Sequence, residues 1–263
     1  MTRPTVVRYL AAAIPIMLIA LVHLLAESNV PDATGTPVLV ELFTSEGCSD
    51  CPPADALLER LDRSQPVAGA RLIVLSEHVD YWNHIGWKDP YSSHAYSERQ
   101  GAYAAHFGLS SVYTPQMVVD GKFEFVGSDE RRAIAAAETA AQAQKVSISL
   151  SGAHMESDGV LAVHLDAGQL PSTAARPTNV LLAVADESDE SHVTSGENGG
   201  RTLRHIAVLR SLKEVGSLER SKGLSQNVEI EVPRRSGSIR LIAFAQERNA
   251  GTIRGVASTS FSK

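Results

Sequence analysis

The chain contains two cysteines, Cys48 and Cys51, and they sit three positions apart between two stretches of different periodicity. Before them, Val38 to Phe43 is an apolar run bounded by turn residues, which predicts a strand buried on both faces. After them, Ala54, Leu57, Leu58 and Leu61 recur at helical spacing, with Asp55, Glu59 and Arg60 between, so a helix is predicted from Pro52 to about Arg63. Proline suits the first turn of a helix, whose N–H groups lack intrahelical partners, and Ser49 or Asp50 is placed to cap it. A C-x-x-C pair is therefore expected where a strand hands over to a helix. That placement reads as a redox site.

A disulfide across so short a loop adds little to the stability of a large chain. Chain-entropy bookkeeping assigns roughly 2 kcal/mol to a four-residue loop, against about 3 kcal/mol for fifteen residues. Reactivity explains the pair better. A thiolate at a helix N-terminus is stabilised by free N–H groups and the helix dipole, and C-x-x-C thiols reach pKa values of about 3.5 to 7. Cys48, expected to be the more exposed, is the candidate attacking thiolate, and Cys51, one turn inside, the candidate resolving thiol. Asp50 opposes this if its carboxylate points at Cys48, so a less acidic nucleophile is predicted than in strong oxidants. A metal-binding carrier, and a non-catalytic interaction module whose cysteines form an inert disulfide, remain as alternative readings of the pair.

The rest of the composition narrows the setting. With 263 residues the chain is long enough for two domains, and 43% hydrophobic content supports sizeable cores. A net charge of −6 gives no basic face for nucleic acid, and that partner class is set aside. Arg3 and Arg8 precede an apolar run from Leu10 to Ala26, so residues 1–27 read as a signal peptide or an uncleaved anchor. Membrane association is expected only through that segment. An exported chain, periplasmic or extracellular, would meet an oxidising compartment in which disulfides persist.

Residues 28–36, with Pro31 and Gly35, read as a linker. Arg71 to Ser76 is a second buried strand, and the helix between the two strands favours right-handed parallel pairing. The stretch Glu77 to Tyr91 then gathers His78, Tyr81, Trp82, His84 and Trp87, including both tryptophans of the chain. A helix is predicted from about Ser92 to Phe107, and strands at Gln116–Val119 and Lys122–Val126 flank the Asp120-Gly121 turn. A helix from Ser128 or Asp129 to about Gln144 completes a β-α-β-α-β-β-α order over residues 37–145. Seven short β-rich runs follow, at 146–150, 160–165, 180–185, 206–212, 228–232, 239–245 and 253–258. They predict a separate sandwich-like β domain over residues 146–263.

The strings ELFTSEGCSDCPPAD (41–55), EHVDYWNHIGW (77–87), YTPQMVVDG (113–121) and GENGGRTLRHIAVLRSL (196–212) resemble an exported thioredoxin-like family known as a domain of unknown function. The likeness runs over roughly residues 37–260. It implies an α/β thioredoxin-like domain followed by a mostly β domain, and no substrate. The chain departs from ordinary thioredoxin in Gly47 before the first cysteine, Ser49-Asp50 between the pair, and Pro52-Pro53 after it. X-Pro bonds are cis in only about 5% of cases in folded proteins, yet in the resembled fold a cis-proline sits beside the cysteines. By that likeness Thr114-Pro115 is cis, with the Thr114 backbone available to an incoming peptide strand.

The candidate site is then Cys48, Cys51, Thr114 and Pro115, with Trp82, Tyr81 and His78 as candidate contacts for a partner. Aromatic anchors of this kind dominate docking surfaces. The activity expected is thiol–disulfide exchange with extracytoplasmic protein thiols and disulfides, with no cofactor beyond the Cys48–Cys51 pair. The metal alternative uses Cys48, Cys51 and His78, a donor set that suits copper. Glu197 to Arg201 is glycine-rich without the lysine and helix of a phosphate cradle, and His205 reads as a sheet-face residue.

Overall fold

Long stretches of β-branched and aliphatic residues dominate both halves of the chain, and in the computed structural model they meet in one sheet. The structure describes residues 1–2, 35–157, 159–172, 176–232 and 237–262. The predicted N-terminal segment beyond residue 2, and all of the linker but residues 35 and 36, lie outside them. No helix among the described residues is long and apolar enough to cross a membrane.

The first half begins with β1 (Thr36–Thr44), α1 (Pro52–Ser64), β2 (Ala70–His78) and α2 (His94–Phe107), and β1 and β2 run parallel. Next come β3 (Gln116–Val119), β4 (Phe123–Val126) and α3 (Glu130–Ala141), whose N-cap Asp129 accepts from the Arg132 backbone N–H. After α3 come β5 (Ile148–Ser157), β6 (Val160–Ala167), β7 (Thr178–His192), β8 (Thr202–Leu218), β9 (Leu224–Glu231), β10 (Ser238–Glu247) and β11 (Ile253–Ser262).

The topology overturns the expectation of a thioredoxin-like domain followed by a separate β-sandwich. Eight strands form one mixed sheet in the order β11-β10-β7-β8-β2-β1-β3-β4, so the two predicted domains share a backbone ladder. The joint is at β2, whose free edge takes up β8 in parallel at Ser76 and Val208. The remaining strands form a three-stranded sheet, β5-β6-β9. With three helices against eleven strands among the described residues, the protein is mostly β.

Alternation along the strands explains the layering, because successive side chains on a strand face opposite sides. Ala183, Ala185, Ile242 and Phe244 join the core that holds Leu57, Leu58 and Leu61 of α1 and Ala133, Ala136 and Ala137 of α3. Their neighbours Leu182, Val184, Leu241 and Ala243 face the other way and pack with Leu161, Val163 and Leu165 of the small sheet. On the α2 side, Tyr103 packs with Phe43 and Val118.

Buried polar groups fasten the strands to one another. Arg99 of α2 bonds Glu41 of β1, and its Nη1 donates to Gln246 Oε1 of β10 at 3.0 Å, while Tyr103 Oη donates to Glu41 Oε2 at 2.5 Å. Asp120, between β3 and β4, accepts from the Leu39 N–H through its side chain and from the Ile253 N–H through its carbonyl. Gly121 beside it lies at φ +63°, where a Cβ would stand well inside contact distance of the Gly251 carbonyl oxygen. Gly121→Ala should therefore destabilise the protein by at least about 2 kcal/mol in denaturant unfolding, from left-handed backbone and overpacking together.

Candidate functional site

The seven residues between β1 and α1 are held by their own backbone. The Cys48 N–H donates to the Ser45 carbonyl at 3.1 Å, the Gly47 N–H to Ser45 Oγ at 3.1 Å, and the Cys51 N–H to the Cys48 carbonyl at 3.3 Å. Cys51 itself is the N-cap of α1 and no side chain caps the helix, so the expected capping by Ser49 or Asp50 does not occur. Both cysteines are free thiols.

Cys48 lies against the bend ahead of β3. Its Sγ is 3.9 Å from the Thr114 carbonyl oxygen, and the Thr114-Pro115 bond is cis. Trp82 Nε1 donates to Thr114 Oγ1 at 2.8 Å, and a Cβ on Gly47 would come within 3.0 Å of the Trp82 Cβ. The small residue before Cys48 is what allows the indole to close over this corner. Tyr81 stands beside Trp82, with ring centroids 6.3 Å apart, and donates to Gln100 Oε1.

The two sulfurs have opposite environments. A hydrogen bond from the Cys51 thiol lowers the Cys48 pKa, burial pushes the other way, and the N–H groups of Asp50 and Cys51 add to the lowering. The outcome is a shift from 9.0 to about 7. Asp50 acts on Cys48 through its backbone N–H. Cys51 is pushed far up, by burial first, then by its bond to Cys48 and the charge of Asp55.

Beneath the pair lies a polar cluster with almost no solvent. Glu46 is fully buried; its Oε2 accepts from Trp87 Nε1 at 2.7 Å and its Oε1 lies 3.2 Å from His205 Nε2 on β8. The Glu46 N–H donates to Asp89 Oδ2, which also bonds His78 Nδ1 at 2.7 Å. His205 meets Asp55 of α1 from its other nitrogen, Nδ1 to Oδ1, at 3.7 Å. The rings of His78 and His205 stand edge to face with centroids 4.6 Å apart. Burial works against protonation of His205, but the side chains of Asp55 and Glu46 outweigh it and raise its pKa from 6.5 to about 10. Burial pushes Asp89 up, yet the charge and hydrogen bond of His78 and two backbone N–H groups leave it below its ordinary value.

The loop between β7 and β8 covers the pair. Asn198 Nδ2 donates to the Glu46 carbonyl at 2.9 Å and the Cys48 carbonyl at 3.0 Å, and the Ser49 N–H donates to Glu197 Oε2 at 3.1 Å. Under this cover and Trp82, Cys48 is 2% exposed and Cys51 0%. The open sulfur expected at Cys48 is therefore not found.

A family described as a protein of unknown function, DUF1223, matches residues 39–246. The chain belongs to this family. The crystal structure of protein AGR_C_4864 from Agrobacterium tumefaciens is similar at 25% identity and TM-score 0.64, over 85% of this chain and 94% of that one. HBP35 of Porphyromonas gingivalis is similar in fold, at 16% identity and TM-score 0.59, over 86% and 76% of the two chains. No curated protein matches the sequence. Membership in DUF1223 carries no activity with it.

Of the residues singled out in the sequence, Cys48, Cys51, Thr114, Pro115, Trp82 and Tyr81 gather at one corner. His78 does not reach the surface; it is 0% exposed and bonded to Asp89, so it offers nothing to a docking partner. Among the described residues no group of three His, Cys, Asp or Glu side chains is placed to hold a metal ion, so Cys48, Cys51 and His78 do not form a ligand set. The residues that sequence reasoning missed are Glu46, Asp55, Glu197, Asn198 and His205. The signals that could have found them were the quoted strings themselves: 41–55 contains the first two and 196–212 the last three.

The His205 charge carries a pH signature. A folded-state pKa raised from 6.5 to about 10 gives stabilisation that is complete below pH 6.5 and lost as pH rises toward 10. His205→Asn leaves buried carboxylates without their cation, and should cost about 3 kcal/mol below pH 6.5. The stability gap between wild type and variant, read from urea unfolding, should narrow steadily toward pH 10.

Proposed function

We propose that this protein is an extracytoplasmic thiol–disulfide oxidoreductase that exchanges disulfides with partner proteins through Cys48 and Cys51. The observation that carries the reading is the geometry of the pair: two free thiols at the start of α1, with Cys48 Sγ 3.9 Å from the Thr114 carbonyl at the cis Thr114-Pro115 bend and Cys51 fully buried beside it. This asymmetry draws Cys48 down to about 7 and pushes Cys51 up. A nucleophile is most effective in exchange when its pKa lies near the ambient pH. An inert structural disulfide calls for no such asymmetry. The basic residues Arg3 and Arg8 ahead of the apolar run from Leu10 support export.

In the reducing direction, the Cys48 thiolate attacks a partner disulfide; the Cys48–sulfur bond forms and one partner thiolate leaves. Cys51 gives up its proton and attacks Cys48 Sγ, the mixed disulfide breaks, and the second partner thiolate leaves and is protonated. Two electrons pass from the cysteine pair to the partner, and a dithiol partner returns them. The oxidising direction is the same sequence reversed. Thr114 and Trp82 form the wall along which the partner approaches, and the loop bearing Glu197 and Asn198 is the part that yields, since its neighbours from Thr194 to Glu197 are exposed.

Reduction of insulin disulfides by the full chain is the direct test. Cys48→Ser should abolish it, and equal rates for variant and wild type would remove the catalytic reading. Alkylation of Cys48 in the reduced protein should rise with pH to a midpoint of about 7. Asn198→Ala, which frees the cover from two carbonyls, should speed that alkylation about tenfold at fixed pH, the equivalent of about 1.4 kcal/mol of lost closure.

A further inference from the structure

Cys51 must lose a proton before it can attack, and it has no water to give it to. Its side chain is 0% exposed, and its partner Cys48 is at that moment tied up in the mixed disulfide. The helix that begins at Cys51 brings one candidate acceptor to it. Asp55 lies four residues on, on the same face of α1, and its N–H donates to the Cys51 carbonyl at 3.1 Å.

Asp55 is 7% exposed, and its Oδ1 has no hydrogen-bond partner in spite of its burial. A buried carboxylate oxygen normally has one. The neighbouring His205, 3% exposed, has an unbonded Nδ1 of its own, 3.7 Å from that oxygen. This is an ion-pair separation and too long for a hydrogen bond. His205 is held in place by Glu46 on its other nitrogen and by the rings of His78 and Tyr91. It also lines a cavity of about 610 Å3 between α1 and the β7–β8 strands, alongside Glu59, Asp189 and Arg204. Of the pair, only His205 borders this opening.

We propose that Asp55 takes the proton from Cys51 in the resolving step, and that His205 is the positioning residue that keeps Asp55 ready as a carboxylate. The proposal rests on the exchange reading above. In the step, the S–H bond of Cys51 breaks and an O–H bond forms on Asp55. The freed thiolate then attacks Cys48 Sγ, and the departing partner thiolate later takes up a proton from solvent. The charge of Asp55 already acts on Cys51, and the charge of Glu46 acts on His205 from the opposite side.

The test uses the reduced full chain and dithiobis(nitrobenzoate), a symmetric disulfide whose thiolate product absorbs visible light. The first release reports attack by Cys48 and the second reports resolution by Cys51. In Asp55→Asn the second release should slow about 100-fold at neutral pH and recover as hydroxide takes over at higher pH, while the first release attests to a folded site. Asp55→Glu should keep part of the rate. In His205→Gln the second release should reach the wild-type plateau, but at higher pH. An unchanged second release in Asp55→Asn would overturn the proposal. So would a slow release that pH does not restore, since that marks a structural role. A wild type that gives no second release would instead sink the exchange reading itself, and the proposal with it.

Discussion

A carboxylate with no access to water has to be answered from within the fold, and Glu46 is such a carboxylate. It sits in the loop that presents the cysteines, and its partners come from far along the chain: Trp87 from the segment after β2, and His205 from β8. Desolvating an ion costs several kcal/mol unless its partners are in place, so the loop can adopt this shape only when β8 lies beside β2. The parallel pairing of Ser76 with Val208 and the Glu46–His205 contact thus support each other. The site is built across a seam between sequence-distant halves.

This seam also explains what the sequence made legible and what it hid. Local elements follow from periodicity and turn chemistry. β3 occupies Gln116–Val119 as read, α1 and α2 end within a residue of the predicted limits, and all seven β-rich runs after Lys145 contribute to strands. What cannot be read from a window of residues is which strand edge will be filled, and by whom. The expectation of an independent α/β domain left β2 with a free edge, and pairing with β8, more than a hundred residues later, removed it. An architecture inferred from a resemblance over local motifs fails at that step, because motifs constrain loops and turns far more than they constrain sheet order.

The site shows the same division. The cysteines were identifiable because their residue type carries unusual chemistry at close spacing, whereas the cis-proline bend was expected only through the family resemblance. Asn198 and His205 carried no such mark. Each is an ordinary polar residue whose role depends on where a distant strand is delivered. His205 lies on a sheet face, as its sequence context suggests, but that side faces two carboxylates and the first turn of α1. The cover over Cys48 was equally invisible, since Glu197 and Asn198 are about 150 residues from the groups they bond. The consequence is a thiol with its ionisation tuned and its access restricted, two properties that sequence reasoning had treated as one.

The order of synthesis gives that separation a meaning in time. The cysteines emerge from the ribosome well before the asparagine that will close over them, with 150 positions between Cys48 and Asn198. At roughly 5 to 20 residues per second, the interval is about 8 to 30 s. For that period the nascent chain carries two uncovered thiols and no finished sheet, and only the arrival of the β7–β8 hairpin withdraws them from stray oxidants. Their protection belongs to the last half of the chain, and a polypeptide that stops short of it would expose its most reactive atoms.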